Sequence, residues 1–122
     1  MIGLGTSVHT RRGPVLVEDI EGEVVPIAHP TRGYVFAPCG DPICYEGPRT
    51  LLMLEDGRDI LVSSTLDIFL EAGGTIPAHR ILPGTRLAGG VVEALAHDAG
   101  SLYHLPALEK VPFVVNGLSV LG

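Results

Sequence analysis

Short apolar or alternating runs recur along this chain about every 8 to 12 residues, and turn-forming residues fill the gaps between them. That rhythm predicts an all-β sandwich or barrel of many short strands. The expected strands are Ser7–Thr10, Pro14–Glu18, Glu23–Ile27, Tyr34–Ala37, Arg49–Leu54, Asp59–Ser63, Thr75–Ala78, Thr85–Leu87, Val91–Ala96, Tyr103–Leu105, Phe113–Val115 and Leu118–Leu121. The 16 glycines and ten prolines in 122 residues leave no room for a helical bundle. Hydrophobic residues at 46% are too many for a disordered chain.

Two turns are legible from their residues. Asp56-Gly57 lies between Leu51–Leu54 and Ile60–Val62, and Asn116-Gly117 between Phe113–Val115 and Leu118–Val120. Both pairs suit the positive φ angles of a type I′ turn, so each predicts a tight hairpin. The stretch Ser64–Gly74 is the one helix candidate, capped by Ser64 or Thr65 and ended by Gly73-Gly74. The Pro-rich segment Ala28–Pro48 reads as a loop excursion within one domain spanning residues 1–122. A faint repeat runs through the chain: Gly13–Val24 and Gly74–Leu87 share a Gly-led turn, a strand, a charged residue then Ile, a Gly and another strand. Their first glycines are 61 positions apart and their later ones 62, which is half the chain and predicts a pseudo-twofold β domain.

Several function classes drop out on charge and spacing. Fourteen acids against eight bases give −6, and Lys110 is the single lysine, so no nucleic-acid partner is expected. No apolar run reaches the ~20 residues of a membrane span. Met1–Gly5 is apolar but lacks the charged leader of a signal peptide, so the expected compartment is cytoplasmic. Cys39 and Cys44 stand in a C-x4-C spacing, read as two thiols in a reducing compartment. His9, His29, His79, His97 and His104 are scattered singly, so neither a metal nor another cofactor is expected.

The stretch Gly5-Thr6-Ser7-Val8-His9-Thr10, followed by Gly13 and by Glu18-Asp19-Ile20-Glu21-Gly22-Glu23-Val24, resembles the first block of the Hint superfamily, G-[TD]-x-V-x-T … [EDL]-[DL]-[IL]-x-x-G-[DE]-x-V. That superfamily comprises hedgehog autoprocessing domains and inteins. Leu61–Leu70 is similar to its T-x-x-H block, Ala78–Leu87 to the A-x-x-L-x-x-G-x-x-L step, and Val111–Gly122 to the closing F-V-[AV]-[ND]-G-[IL]-x-V-H-N. The blocks come in family order. The resemblance implies a Hint-like pseudo-twofold β disk.

It also implies a chemistry that these residues do not carry. The family's first position is a thiol or hydroxyl that attacks the carbonyl before it; here it is Met1, a thioether with no peptide bond ahead of it in this sequence. The block histidine that protonates the scissile nitrogen falls on Leu66, next to Asp67. The closing His-Asn pair falls on Leu121-Gly122. Met1, Leu66, Leu121 and Gly122 are therefore read as degenerate positions, with no catalytic residue among them.

The remaining candidates each have a plainer role. Ser63, Ser64 and Thr65 read as strand-end hydroxyls, since no Gly-x-Ser-x-Gly elbow surrounds them. His9 could pair with Glu18 or Asp19, but reads as an edge-strand histidine. Gly3-x-Gly5 lacks the strand and helix of a dinucleotide site. Arg11-Arg12 could grip a carboxylate, but reads as a solvated hairpin tip.

Mean hydropathy of +0.37 with only 18% charge predicts apolar side chains outside the core, and so an interface. The expectation is a non-enzymatic structural or assembly module, either a homo-oligomer or one docked on protein partners. The C-terminal hairpin and the Pro-rich segment are its expected contacts. A phage or viral particle, as a tail or capsid decoration, is one setting by analogy. The alternative is a variant autoprocessing domain using Cys39, Cys44 or Ser63 as nucleophile. A small-ligand or peptide module using an edge strand is a third reading.

Overall fold

The computed structural model describes residues 1–29, 33–38 and 40–122. Thirteen strands among these residues form three antiparallel sheets. In chain order they are β1 Ile2–Gly3, β2 Ser7–Thr10, β3 Gly13–Leu16, β4 Val24–His29, β5 Gly33–Pro38, β6 Ile43–Leu54, β7 Asp59–Ser63, β8 Asp67–Phe69, β9 Thr75–Pro77, β10 Arg86–Leu87, β11 Gly90–His104, β12 Pro112–Val115 and β13 Leu118–Leu121. One sheet runs β1-β7-β6-β11-β10, and β1 also pairs with β11. A second runs β3-β2-β12-β13-β8-β9, and β4 and β5 form a two-stranded ribbon.

Alternation along the strands builds the core. Thr50, Leu52 and Leu54 of β6 point inward, as do Ile60 and Val62 of β7. Phe113 and Val115 of β12 and Leu118 and Val120 of β13 alternate in the same way. The apolar side chains among these pack with Ile2, Val8, Ile68 and Val92 into one cluster. Each fully buried Ile or Leu contributes about 1.5–3 kcal/mol relative to exposure.

The repeat seen in the sequence is a structural one. β3 leads into a 3-10 turn at Val17–Asp19, and β9 into a 3-10 turn at Ala78–Arg80. The first residue of each turn is buried, and so is the residue after it, Ile20 or Ile81. Val17 N–H donates to the Thr6 carbonyl at 3.0 Å, and Ala78 N–H to that of Leu66 at 2.9 Å. Arg11 N–H reaches the Val24 carbonyl at 2.7 Å, and Glu71 N–H that of Arg86 at 3.1 Å. The pseudo-twofold β architecture is thus written in matched hydrogen bonds.

Four expectations are corrected. Ser64–Gly74 is not a helix: it holds β8, which pairs with β13 and β9. Its apolar residues Leu66 and Ile68 fit a two-residue period, with both side chains buried. The described residues of Ala28–Pro48 are more than a loop: besides β5, which matches the expected strand Tyr34–Ala37, they carry the end of β4 and the start of β6. Val91–Ala96 and Tyr103–Leu105 are parts of one long strand, β11, held along its length by β6. Ile2–Gly3, given no strand in the sequence reading, forms β1.

The two hairpin turns differ. Asn116 (φ 43°) and Gly117 (φ 83°) are both left-handed between the paired Val115 and Leu118, as a type I′ turn requires. At Asp56-Gly57 only the glycine has positive φ. The Asp56 carboxylate instead accepts from Arg58 N–H at 3.1 Å and Arg58 Nε at 2.8 Å, which selects a longer loop.

Candidate functional site

The chain positions read as degenerate meet in space. Met1, Leu66, Leu121 and Gly122 line one cleft of about 270 Å³. Sheet register brings them there. β1 pairs with β7, and the Met1 carbonyl accepts from Ser63 N–H at 2.7 Å. Ser63 in turn accepts Leu66 N–H at 3.0 Å through its carbonyl, in the tight turn from β7 to β8. β8 then pairs with β13 so that Asp67 lies opposite Leu121. The far wall is the turn before β12. Gly122 N–H donates to Val111 O at 3.0 Å, and Lys110 N–H donates to Gly122 O.

Ser63, Thr65, Asp67, Glu109 and Lys110 are the polar residues of this cleft. The sequence reading named the first three and missed Glu109 and Lys110. Lys110 takes a left-handed φ of 57°, and nothing in its local sequence marks it as part of a site. Ser63 Oγ is 3.0 Å from Thr65 Oγ1, so its partner is a hydroxyl and not a base. The Met1 amino group donates to the Tyr45 hydroxyl, and burial pushes its pKa down to about 5.

The other singled-out residues lie elsewhere. Ser64 Oγ contacts Thr50 Oγ1 at 2.9 Å, and Thr50 Oγ1 contacts His97 Nδ1 at 3.0 Å. His79 holds the Ser64 carbonyl through its backbone N–H at 2.9 Å and Nδ1 at 2.7 Å. These contacts brace the β7–β8 turn behind the cleft. Glu18 accepts Gly5 N–H at 3.1 Å on both oxygens, while His9 faces a different groove on β2. Arg11 and Arg12 form the exposed β2–β3 hairpin tip, as expected, and from it Arg12 pairs with the buried Glu23 through two N–H groups. Cys44 is exposed on β6 opposite Tyr103. Burial first, then Cys44 and Glu18, raises the Tyr103 hydroxyl above its usual pKa. Cys39 lies outside the described residues. Among the described residues no group of three His, Cys, Asp or Glu side chains could hold a metal ion. No helix there is long and apolar enough to cross a membrane.

No protein-family model matches the chain, and no curated protein matches it. Solved structures do. An intein-like domain from Clostridium thermocellum matches with a TM-score of 0.78 at 19% identity, over 98% of this chain and 96% of that one. This chain has the intein-like, or Hint, fold. A DnaB intein from Synechocystis sp. PCC 6803 matches with a TM-score of 0.76 at 13% identity, over 99% and 96% of the two chains. The gp41-1 intein matches with a TM-score of 0.74 at 17% identity, over 99% and 97%. The intein-like fold therefore extends over nearly the whole of these 122 residues, as the ordered sequence blocks implied.

Proposed function

We propose that this intein-like domain does not splice, and that it works as a non-enzymatic module docking on protein. The observation that carries the proposal is the make-up of the cleft. Acyl shift needs a thiol or activated hydroxyl beside the scissile carbonyl, with an acid to protonate the leaving nitrogen. Met1, Leu66, Leu121 and Gly122 supply a thioether, two isobutyl groups and a hydrogen in the cleft where they converge. Leu66 is 4% exposed, so its side chain packs into the core and presents no donor.

The docking half of the proposal draws on exposed apolar side chains. Leu4, Phe36, Ile43 and Leu82 are each more than half exposed, and Phe36 and Ile43 fall within the Pro-rich segment expected to make contacts. The C-terminal hairpin contributes no such residue, because Leu118 and Val120 face the core. No structural observation favours a phage or viral particle as the setting.

The competing reading is autoprocessing through Ser63, whose hydroxyl lines the cleft. A fusion carrying folded partners before Met1 and after Gly122 separates the two. Intact mass followed for several days, with and without hydroxylamine, is expected to show the uncut fusion alone. Cleavage or a hydroxylamine-released fragment that disappears in Ser63→Ala would overturn the proposal.

A further inference from the structure

A second groove among the described residues lies away from the intein-like cleft, between the β2–β12 face and the β4–β5 ribbon. It measures about 710 Å³, within the range of natural ligand sites. Pro26 and Val114 give it half-buried apolar surface, and Phe36 stands 57% exposed beside them. Register explains the pairing, since Pro26 sits directly opposite Phe36 across the ribbon. A large aromatic ring left in water beside apolar neighbours marks a contact surface.

The groove is also cationic. The Arg11 guanidinium lies 5.6 Å from the Phe36 ring centroid. Such a contact orders the arginine and leaves in-plane N–H groups to meet a carboxylate. His9 lies two residues earlier and lines the same groove. Among the described residues no acidic side chain lines it. Among the described residues Arg11 makes no ion pair, whereas its neighbour Arg12 is committed to Glu23. Glu21 and the Arg12–Glu23 pair flank Arg11 in a separate, smaller cleft. A chain of net charge −6 thus gathers a basic, aromatic groove with no acid among the described residues that line it.

We infer that this groove binds an acidic–apolar peptide segment of a partner protein, with an Asp or Glu on Arg11 and an adjacent aliphatic or aromatic side chain against Phe36 and Pro26. The inference rests on the reading of the domain as a docking module and names the surface it uses. An open groove along strands suits an extended peptide. The overall negative charge argues against a polyphosphate chain.

The test is selection of displayed random dodecapeptides on the immobilised 122-residue chain, followed by fluorescence anisotropy with the enriched peptides. The expected result is peptides carrying Asp or Glu within three positions of Leu, Phe or Tyr. Their Kd should weaken about tenfold or more in Arg11→Ala and in Phe36→Ala, the loss of a charged hydrogen bond or of an aromatic contact. Lysine in place of the peptide's acid should abolish binding, and Leu82→Ala should leave it unchanged. Both groove residues are exposed, and circular dichroism of each variant verifies the fold. Failure to enrich any acidic–apolar peptide, or enrichment of peptides that bind Arg11→Ala and Phe36→Ala equally, overturns the assignment of this groove. A dimer by light scattering that Phe36→Ala disrupts would make a second copy the occupant and would also overturn it. Cleavage of the fusion described above would instead overturn the docking reading itself, so the two failures are distinguishable.

Discussion

The Arg58 guanidinium donates to the Asn116 backbone oxygen at 2.9 Å, tying two hairpin turns that lie 58 positions apart. The same side chain donates to Gly89 O and pairs with Asp56, while Asn116 Nδ2 returns a hydrogen bond to Asp59 O at 3.2 Å. One arginine therefore fastens β6–β7, β10–β11 and β12–β13 at a single corner. Arg58→Ala is expected to destabilise the domain by about 1–3 kcal/mol, the usual cost of losing charge-assisted bonds to partly buried carbonyls. Urea unfolding followed by circular dichroism checks it, and a change below roughly 0.5 kcal/mol would show that the corner holds without this clamp.

Gly89 sits in that corner with φ at 118°, and a Cβ there would lie 2.1 Å from the Gly117 carbonyl oxygen. Backbone on both sides leaves nothing free to give way. Gly89→Ala should cost more than about 2 kcal/mol, combining left-handed strain with a backbone clash. Gly22 is a control, since its φ is 63° but a Cβ would meet open space. Gly22→Ala should therefore cost only the strain, about 1 kcal/mol. Equal losses in the two variants would show that the clash is relieved by movement.

Two pH windows follow from the shifted groups. The Met1 amino group has its pKa lowered to about 5 from 8.0 by burial. The unfolded chain takes up this proton first as pH falls, so stability should decline from pH 8 towards 5. Acetylating the amino terminus should remove that slope, measured as the urea midpoint across the range. Asp98 is shifted downward by its hydrogen bonds to Arg49. Its contribution is present above the unfolded carboxyl pKa of about 3.9 and is lost as pH falls through the folded value. Asp98→Asn should thus lower stability at pH 7 and converge with the unmodified chain at the acid end.

The intein-like cleft permits a gain-of-chemistry experiment. In the flanked fusion, Met1→Cys introduces a thiol and Leu66→His an imidazole on the same cleft. The double variant should give a hydroxylamine-released fragment about 100-fold faster than Met1→Cys alone, the usual worth of a general acid. Equal rates in the single and double variants would show that position 66 is not where the acid belongs.

Local grammar made much of this molecule legible. Period-two runs such as Leu118–Leu121 and turn pairs such as Asn116-Gly117 specify their own geometry, so hairpins could be read residue by residue. Ser64–Gly74 misled because its hydroxyl cap and terminal glycines are also the punctuation of a helix. Pairing with β9 and with β13 decides that Asp67–Phe69 is extended, and β13 is some 50 positions away. The convergence of Met1, Leu66, Leu121 and Gly122 followed from the ordered family blocks. The cationic groove did not, because Arg11 in the β2–β3 turn, Pro26 and Phe36 on the β4–β5 ribbon and Val114 on β12 are far apart in sequence and meet only in the folded domain.

Ile2 pairs with both Val62 and Tyr103, and Val8 pairs with Val115. Each half of the chain thus supplies strands to the other half's sheets, and neither sheet is complete until both halves are present. On the ribosome, the free edge of β2 waits for β12, and β6 for β11, although the β2–β3 and β4–β5 pairs can already form. Loop closures of this span make folding slow and leave greasy strands exposed meanwhile. The domain's window of greatest risk is its own synthesis, when aggregation or a chaperone can capture it before Val115 arrives.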